Sequence, residues 1–214
     1  MSGITRQQPV SETADTDVIA YRLHGNVYLN ITSRCTLRCR FCPKFNREWE
    51  VQGYLLRLHQ EPDVPTILDA VGDPANDREV VFCGLGEPTL RLETLLESAA
   101  ALRERGAKRI RVNTDGLANW RAGRDVTPEL AQHVDALSIS LNAQNEALYD
   151  RHCRPPETGA WPELLEFVLC AREHIADITL TAIDGLPGVD IDACADLANR
   201  FNVKFRRRVL DEVG

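Results

Sequence analysis

Short runs of β-forming residues alternate with amphipathic helical stretches along most of this chain. Runs at 26–32 (NVYLNIT), 79–84 (EVVFCG), 108–116 (KRIRVNTDG), 135–142 (DALSISLN), 177–184 (DITLTAID) and 203–209 (VKFRRRV) read as strands. Stretches at 91–106, 126–134, 161–175 and 190–201 read as helices, with Gly106 as a stop and Pro128 near a start. A further helix is expected near 65–71, after a loop carrying Trp49 and Tyr54. Such alternation implies parallel strands joined by right-handed crossovers. Six strands are too few for a closed eight-stranded barrel, which takes ~250 residues. The expectation is therefore one α/β domain over 18–214, either a partial barrel or a doubly wound sheet. Residues 1–17 are polar and read as a disordered leader.

Composition narrows the function classes. No apolar run approaches the ~20 residues of a membrane span, and the N-terminus has no apolar core of a signal peptide, so a cytoplasmic location is expected. The formal charge of -7 gives no general case for nucleic-acid binding. The basic run KFRRRV at 204–209 is the local exception, and it reads first as a solvated strand edge.

Each strand is followed by unusual residues. After the first comes a cysteine loop, and after the second comes GLGEPT at 84–89. NTDG at 113–116, SLNA at 140–143 and DGLPG at 184–188 follow the next three strands. In parallel α/β folds these positions share one face, where ligands bind. Turn chemistry explains the glycines and asparagines, but not the cysteines or the GEP tripeptide. In DALSISLN, Ser138, Ser140 and Asn142 share one face of the strand. A polar face on a central strand needs a polar partner, because an unpaired buried group costs ~1–3 kcal/mol.

The sequence NITSRCTLRCRFCPKF at 30–45 holds Cys35, Cys39 and Cys42 in the spacing C-x3-C-x2-C. In a reducing compartment, clustered cysteines are metal ligands or catalytic groups more often than disulfides. Structural zinc normally takes four ligands, and no second C-x-x-C knuckle exists to complete such a set. A zinc-stabilised module binding nucleic acid or protein through Arg206, Arg207 and Arg208 is the alternative to an enzyme. A four-iron cluster held by three thiolates leaves one iron open to an exogenous ligand. Three cysteines buried in a strand and its loop is the remaining reading.

The C-x3-C-x2-C spacing with Phe41 before the last cysteine, together with GLGEP after the second strand, resembles the radical S-adenosylmethionine (radical SAM) enzymes. VYLNITSRCTLRCRFC, EVVFCGLGEPTLRLETLL, VNTDGLAN, VDALSISLNAQNEALYDRHCRP and LPGVDIDACADLA together resemble the TatD-associated radical SAM proteins. This resemblance implies a partial (βα)6 barrel. It implies a [4Fe–4S] cluster on Cys35, Cys39 and Cys42, with S-adenosylmethionine on the open iron. Gly84, Gly86 and Glu87 would meet the methionine ammonium, and Arg91 would face its carboxylate. Asn113, Ser140 and Asn142 would contact the cofactor from the strand ends, and Phe41 and Ile183 would wall the adenine. Cys153, after the fourth strand, is a candidate hydrogen-atom donor. Cys170 and Cys194 read as buried small hydrophobes, and Cys83 has no assigned role. An electron donor such as flavodoxin or ferredoxin is implied, with a functional link to a TatD-type nuclease. A laterally open barrel favours a large substrate, such as a peptide, protein or nucleic acid.

Overall fold

The computed structural model describes residues 17–46 and 49–209. The leader expected at 1–17 lies outside the described residues apart from Asp17, whose carboxylate accepts from the backbone N–H groups of His59 and Gln60. Residues 210–214 of the expected domain also lie outside them.

The elements in chain order begin with β1 (Ala20–Leu23), β2 (Asn26–Asn30), α1 (Pro43–Asn46), β3 (Glu50–Val51), β4 (Tyr54–Leu55) and α2 (Val64–Val71). There follow β5 (Val80–Cys83), a 3₁₀ turn (Pro88–Arg91), α3 (Leu92–Glu104), β6 (Ile110–Thr114), α4 (Ala118–Ala122) and α5 (Thr127–Leu130). The chain continues with β7 (Ala136–Ser140), α6 (Glu146–Cys153), α7 (Ala160–Arg172), β8 (Asp177–Asp184), α8 (Ile191–Arg200) and β9 (Lys204–Val209).

One seven-stranded sheet runs in the order β1-β2-β5-β6-β7-β8-β9. From β2 to β9 every neighbouring pair is parallel, so the six strands read from the sequence are the six of the partial barrel. β1 adds an antiparallel edge outside β2. His24 and Gly25 join these two strands with φ of 53° and 79°, the doubly left-handed pair of a tight hairpin. The loop expected around Trp49 and Tyr54 is instead a small hairpin of β3 and β4, turned by Gln52 and Gly53 at φ of 51° and 80°. Local caps fix the helix starts: Asp63, Asn145 and Asp190 accept from the backbone N–H groups of Thr66, Leu148 and Ala193.

Register sorts the sheet into two faces. Leu29, Phe82, Val112, Ile139 and Leu180 point one way and are fully buried in the main hydrophobic core. Each buried side chain of this size contributes ~1.5–3 kcal/mol. The opposite face carries Asn30, Cys83, Asn113, Ser138, Thr181, Arg206 and Arg208. At the amino ends of the strands this polar face closes in an ionic ring. Glu79 pairs with Arg109 at 2.8 Å and with Arg111 at 3.0 Å, and Asp177 pairs with Arg109 and Lys204. The unusual residues gather at the other end.

Candidate active site

The cysteine loop leaves β2 and runs to α1, held by three separate segments. Its Arg38 and Arg40 N–H groups donate to the carbonyls of Cys153 and His152, at 3.0 and 2.9 Å, so the end of α6 is zipped to it. The Arg34 carbonyl accepts from the Glu87 N–H at 2.7 Å, which ties it to the loop after β5. Thr32 Oγ1 donates to Glu61, and Arg34 pairs with the same carboxylate at 2.7 Å. Cys35, Cys39 and Cys42 are all free thiols and half-buried. Burial pushes the thiols of Cys35 and Cys42 up. The Cys39 thiol is pushed up by a hydrogen bond with Cys153, then by burial. Thiolates become favourable here once a cation supplies the missing charge.

GLGEP crosses beneath this loop at van der Waals distance. A Cβ on Gly86 would stand 2.1 Å from the Thr32 carbonyl oxygen and 2.6 Å from that of Arg34. A Cβ on Gly84, which has φ +103°, would stand 2.4 Å from Asn30 Oδ1. Glycine here permits the two loops to touch.

Glu87 is spent inside the protein. Its Oε1 accepts from Thr89 N, Thr89 Oγ1 and Thr114 Oγ1, and its Oε2 accepts from Asp115 N at 2.7 Å. It caps the 3₁₀ turn and clamps the end of β6, where the expectation had its carboxylate meeting a ligand ammonium. Burial, and then the Glu87 charge, push the neighbouring Asp115 carboxyl well above the usual range. Arg91, expected to face the ligand carboxylate, is held by its own chain in this structure. Its guanidinium donates to the Ile31 and Pro62 carbonyls and to Thr94 Oγ1, which anchors the helix start to the end of β2.

Asn113 is half-buried on the polar face, donates to Cys83 Sγ at 3.2 Å and accepts from Arg111 at 2.5 Å. Ser140 is half-buried at the carboxyl end of β7. Asn142 is buried at φ 59°; its Nδ2 lies 3.6 Å from Cys153 Sγ, and its Oδ1 has no protein partner. Ile183 is buried on the same face of the sheet as Arg208. Phe41 is half-buried against the main core. Cys153 is fully buried behind the loop, against Cys39 and Asn142. Cys194 is buried as expected, whereas Cys170 is half-buried beside Glu166.

The basic run forms β9, an edge strand of the sheet, as read, with Lys204, Arg206, Arg207 and Val209 exposed and Arg208 half-buried. Only Arg207 points away from the polar face, and it pairs with Asp184. Arg206 and Arg208 share the polar face of the sheet; Arg206 is exposed, and partial burial lowers the pKa of the Arg208 guanidinium. Their spacing of two in a strand was the available signal.

Among the described residues, no three His, Cys, Asp or Glu side chains converge to hold a single metal ion. A zinc ion needs its ligands around one point, whereas cluster thiolates each take a separate iron. Three half-buried free thiols on one loop, whose Thr32 and Arg34 carbonyls meet Gly86 directly, fit a cluster with a ligand beside it.

The three thiols thus lie at one end of a partial barrel, on a loop tied to the loop after β5. The Radical SAM superfamily model matches residues 29–201, and the chain belongs to that superfamily. Its members use a [4Fe–4S] cluster and S-adenosylmethionine. The chain is 28% identical over 187 residues to a GTP 3',8-cyclase of Streptomyces coelicolor, covering 82% of this chain and 49% of that one. It is 31% identical over 160 residues to a probable dual-specificity RNA methyltransferase RlmN of Prochlorococcus marinus, covering 68% of this chain and 40% of that one. The crystal structure of Streptococcus suis SuiB bound to S-adenosylmethionine superposes with a TM-score of 0.59 at 17% identity, covering 87% of this chain and 38% of that one. The chain thus spans about half or less of the length of the curated relatives named here.

Proposed function

We propose that this chain is a radical SAM enzyme in which Cys35, Cys39 and Cys42 hold three irons of a [4Fe–4S] cluster and leave the fourth iron to S-adenosylmethionine. The observation that carries this is the contact between the cysteine loop and Gly84–Gly86. Gly86 meets the Thr32 and Arg34 carbonyls there with no side chain between the two backbones, and Gly84 meets the Asn30 side chain. When bound, the cluster supplies the electron that splits S-adenosylmethionine into methionine and a 5′-deoxyadenosyl radical, which takes a hydrogen atom from the substrate.

The chain's own residues do the positioning. Glu87 and Arg91 fix the loop after β5 against the cysteine loop. Asp115 is buried beside Glu87, and burial pushes both carboxyls upward, Asp115 further through the Glu87 charge. Asn113, Ser140 and Asn142 offer hydrogen-bonding groups at the carboxyl ends of the strands, and the unpartnered Asn142 Oδ1 is free to accept from a ligand. Phe41 and Ile183 supply apolar walls. The burial of Cys153 behind Cys39 places it as a neighbour of a cluster ligand, and a hydrogen-donor role would need it to reach the substrate past that ligand.

The finer reading is a TatD-associated radical SAM protein of the cytoplasm, an oxidoreductase with its core domain at 18–214. It takes electrons from a flavodoxin or ferredoxin and acts on a substrate that includes macromolecules, in a context shared with a TatD-type nuclease. No helix among the described residues is long and apolar enough to cross a membrane. The sequence motifs named above support this reading. Low-temperature EPR of the anaerobically reconstituted, dithionite-reduced chain tests the chemistry. A [4Fe–4S] signal whose g-values move when S-adenosylmethionine is added is expected. A full cluster that ignores the cofactor, or tightly bound zinc in its place, would overturn it.

A further inference from the structure

The polar face of the sheet holds a cavity of about 190 Å³, lined at one end by Gly84 and Asn113, which the proposed function gives to the cofactor, and elsewhere by residues with no role assigned above. It reaches up to Pro43, next to Cys42, and to Gly84 and Leu85. Its two sides differ in character. On one side Tyr21 stacks on Tyr28 with ring centroids 5.4 Å apart and planes 16° from parallel. On the other stand Asn113, Arg206 and Arg208.

The charges on the arginine side do not balance. Arg111 is satisfied by Glu79. Arg206 has one neutral contact, to Ser138 Oγ at 3.3 Å. Neither Arg206 nor Arg208 has a carboxylate partner among the described residues, although acidic residues outnumber basic ones by 32 to 25 in the whole chain. Arg206 is exposed and Arg208 half-buried, and a half-buried guanidinium with no carboxylate is stabilised when an anion comes to it. Guanidinium forks are the geometry that binds carboxylate and phosphate oxygens in pairs.

Size and shape limit the ligand. An apolar cavity of ~150 Å³ takes one benzene ring, so this one takes a single ring with one substituent. The tyrosine wall offers that ring a flat face.

We propose that this cavity binds an anionic group, phosphate or carboxylate, carried on a single aromatic ring, with Arg208 and Arg206 holding the anion and the ring set against Tyr28, the outer member of the tyrosine stack. This rests on the radical SAM reading in one respect: it makes the occupant the substrate, set beneath the loop that carries Cys42. The same chemistry serves a free small molecule or one residue of a larger chain inserted from above.

The test is calorimetric titration of the anaerobically reconstituted full chain with phenyl phosphate, benzoate, cyclohexanecarboxylate and neutral benzamide. Phenyl phosphate or benzoate is expected to bind, and whichever is tighter identifies the anion. Arg208→Gln is expected to weaken that binding at least tenfold, the effect of losing one charge-assisted pair. Arg207→Gln, on the opposite face, is expected to leave it unchanged. Arg208→Lys keeps the charge without the fork and is expected to fall between; it serves if the glutamine variant does not fold. Failure of both aromatic anions to bind overturns the proposal, as does equal binding by Arg208→Gln or Arg208→Lys and the parent chain. Equal binding of benzoate with cyclohexanecarboxylate overturns the ring, and equal binding with benzamide overturns the anion. The EPR response to S-adenosylmethionine is read on the same samples. Its loss with probe binding intact rejects the radical reading, and its persistence without probe binding rejects the cavity.

Discussion

Gly86 makes the sharpest prediction, because its cost can be worked from distances. It does not have a left-handed backbone, unlike Gly84 at φ +103°. What the position requires is the missing side chain alone. In Gly86→Ala the new Cβ would fall 2.1 Å from the Thr32 oxygen and 2.6 Å from the Arg34 oxygen. Both are backbone atoms and cannot rotate away, so the two loops must separate. Forced overpacking costs about 1–3 kcal/mol. Separation also breaks the Glu87 N–H to Arg34 bond of 2.7 Å, at about 1–3 kcal/mol for a buried donor left unpaired. The sum, about 2–6 kcal/mol, corresponds to a fall of ~1–2 M in the urea midpoint for a chain of this size. Gly123→Ala is the control. It has open space around it but φ +65°, so it loses only the ~1–2 kcal/mol of a left-handed alanine. Urea unfolding of the reduced, cluster-free chains compares the two. If Gly86→Ala unfolds at or above the midpoint of Gly123→Ala, the contact between the loops is not tight and the account of this site fails with it.

Cys35→Ser, Cys39→Ser and Cys42→Ser are each expected to lose most of the iron and sulfide after anaerobic reconstitution while keeping the parent far-UV circular dichroism; full cluster content in any of them would remove that cysteine from the ligand set. Glu87→Gln puts an amide N–H₂ where only acceptors now meet donors, and is expected to cost about 2–4 kcal/mol, read as a lower thermal midpoint; an unchanged midpoint would refute the clamp. Glu79 gives a pH dependence. Burial alone would raise its pKa, but hydrogen bonds from Arg111 and Arg109 outweigh this and hold it below the usual value. Its stabilisation is therefore present above the unfolded carboxyl pKa of ~4.3 and is lost as the pH falls below that. Glu79→Gln is expected to flatten the acid limb of the stability–pH curve, and an identical limb would show that the ionic ring carries no such linkage.

Much of the fold was legible because its signals are local. Each parallel strand places apolar residues at the alternate positions that face the helices, as Leu29, Phe82, Val112, Ile139, Leu180 and Phe205 do. β1 was missed because its hairpin turns on His24–Gly25 rather than a common Asn-Gly pair. α6 was missed because it is polar for a helix and depends on the Asn145 cap and on the loop it touches. The three cysteines and both glycines were legible, since spacing alone marks them. The uses of Glu87 and Arg91 were not. A sequence shows a carboxylate beside a candidate site, but whether that carboxylate faces a ligand or four donors of its own chain depends on where β6 ends. That Arg206 and Arg208 share the polar face was readable from strand alternation.

The zipper between the cysteine loop and the end of α6 also sets an order of events during synthesis. Cys35, Cys39 and Cys42 leave the ribosome long before His152 and Cys153, whose carbonyls hold Arg38 and Arg40 in place. Until β5, β6 and β7 have been made and α6 has docked, the loop lacks the contacts that shape it. A zinc finger folds around its metal. Here most of the barrel has to be assembled first, so an iron–sulfur donor meets a finished receptacle, and apoprotein that has already folded is the form it must recognise.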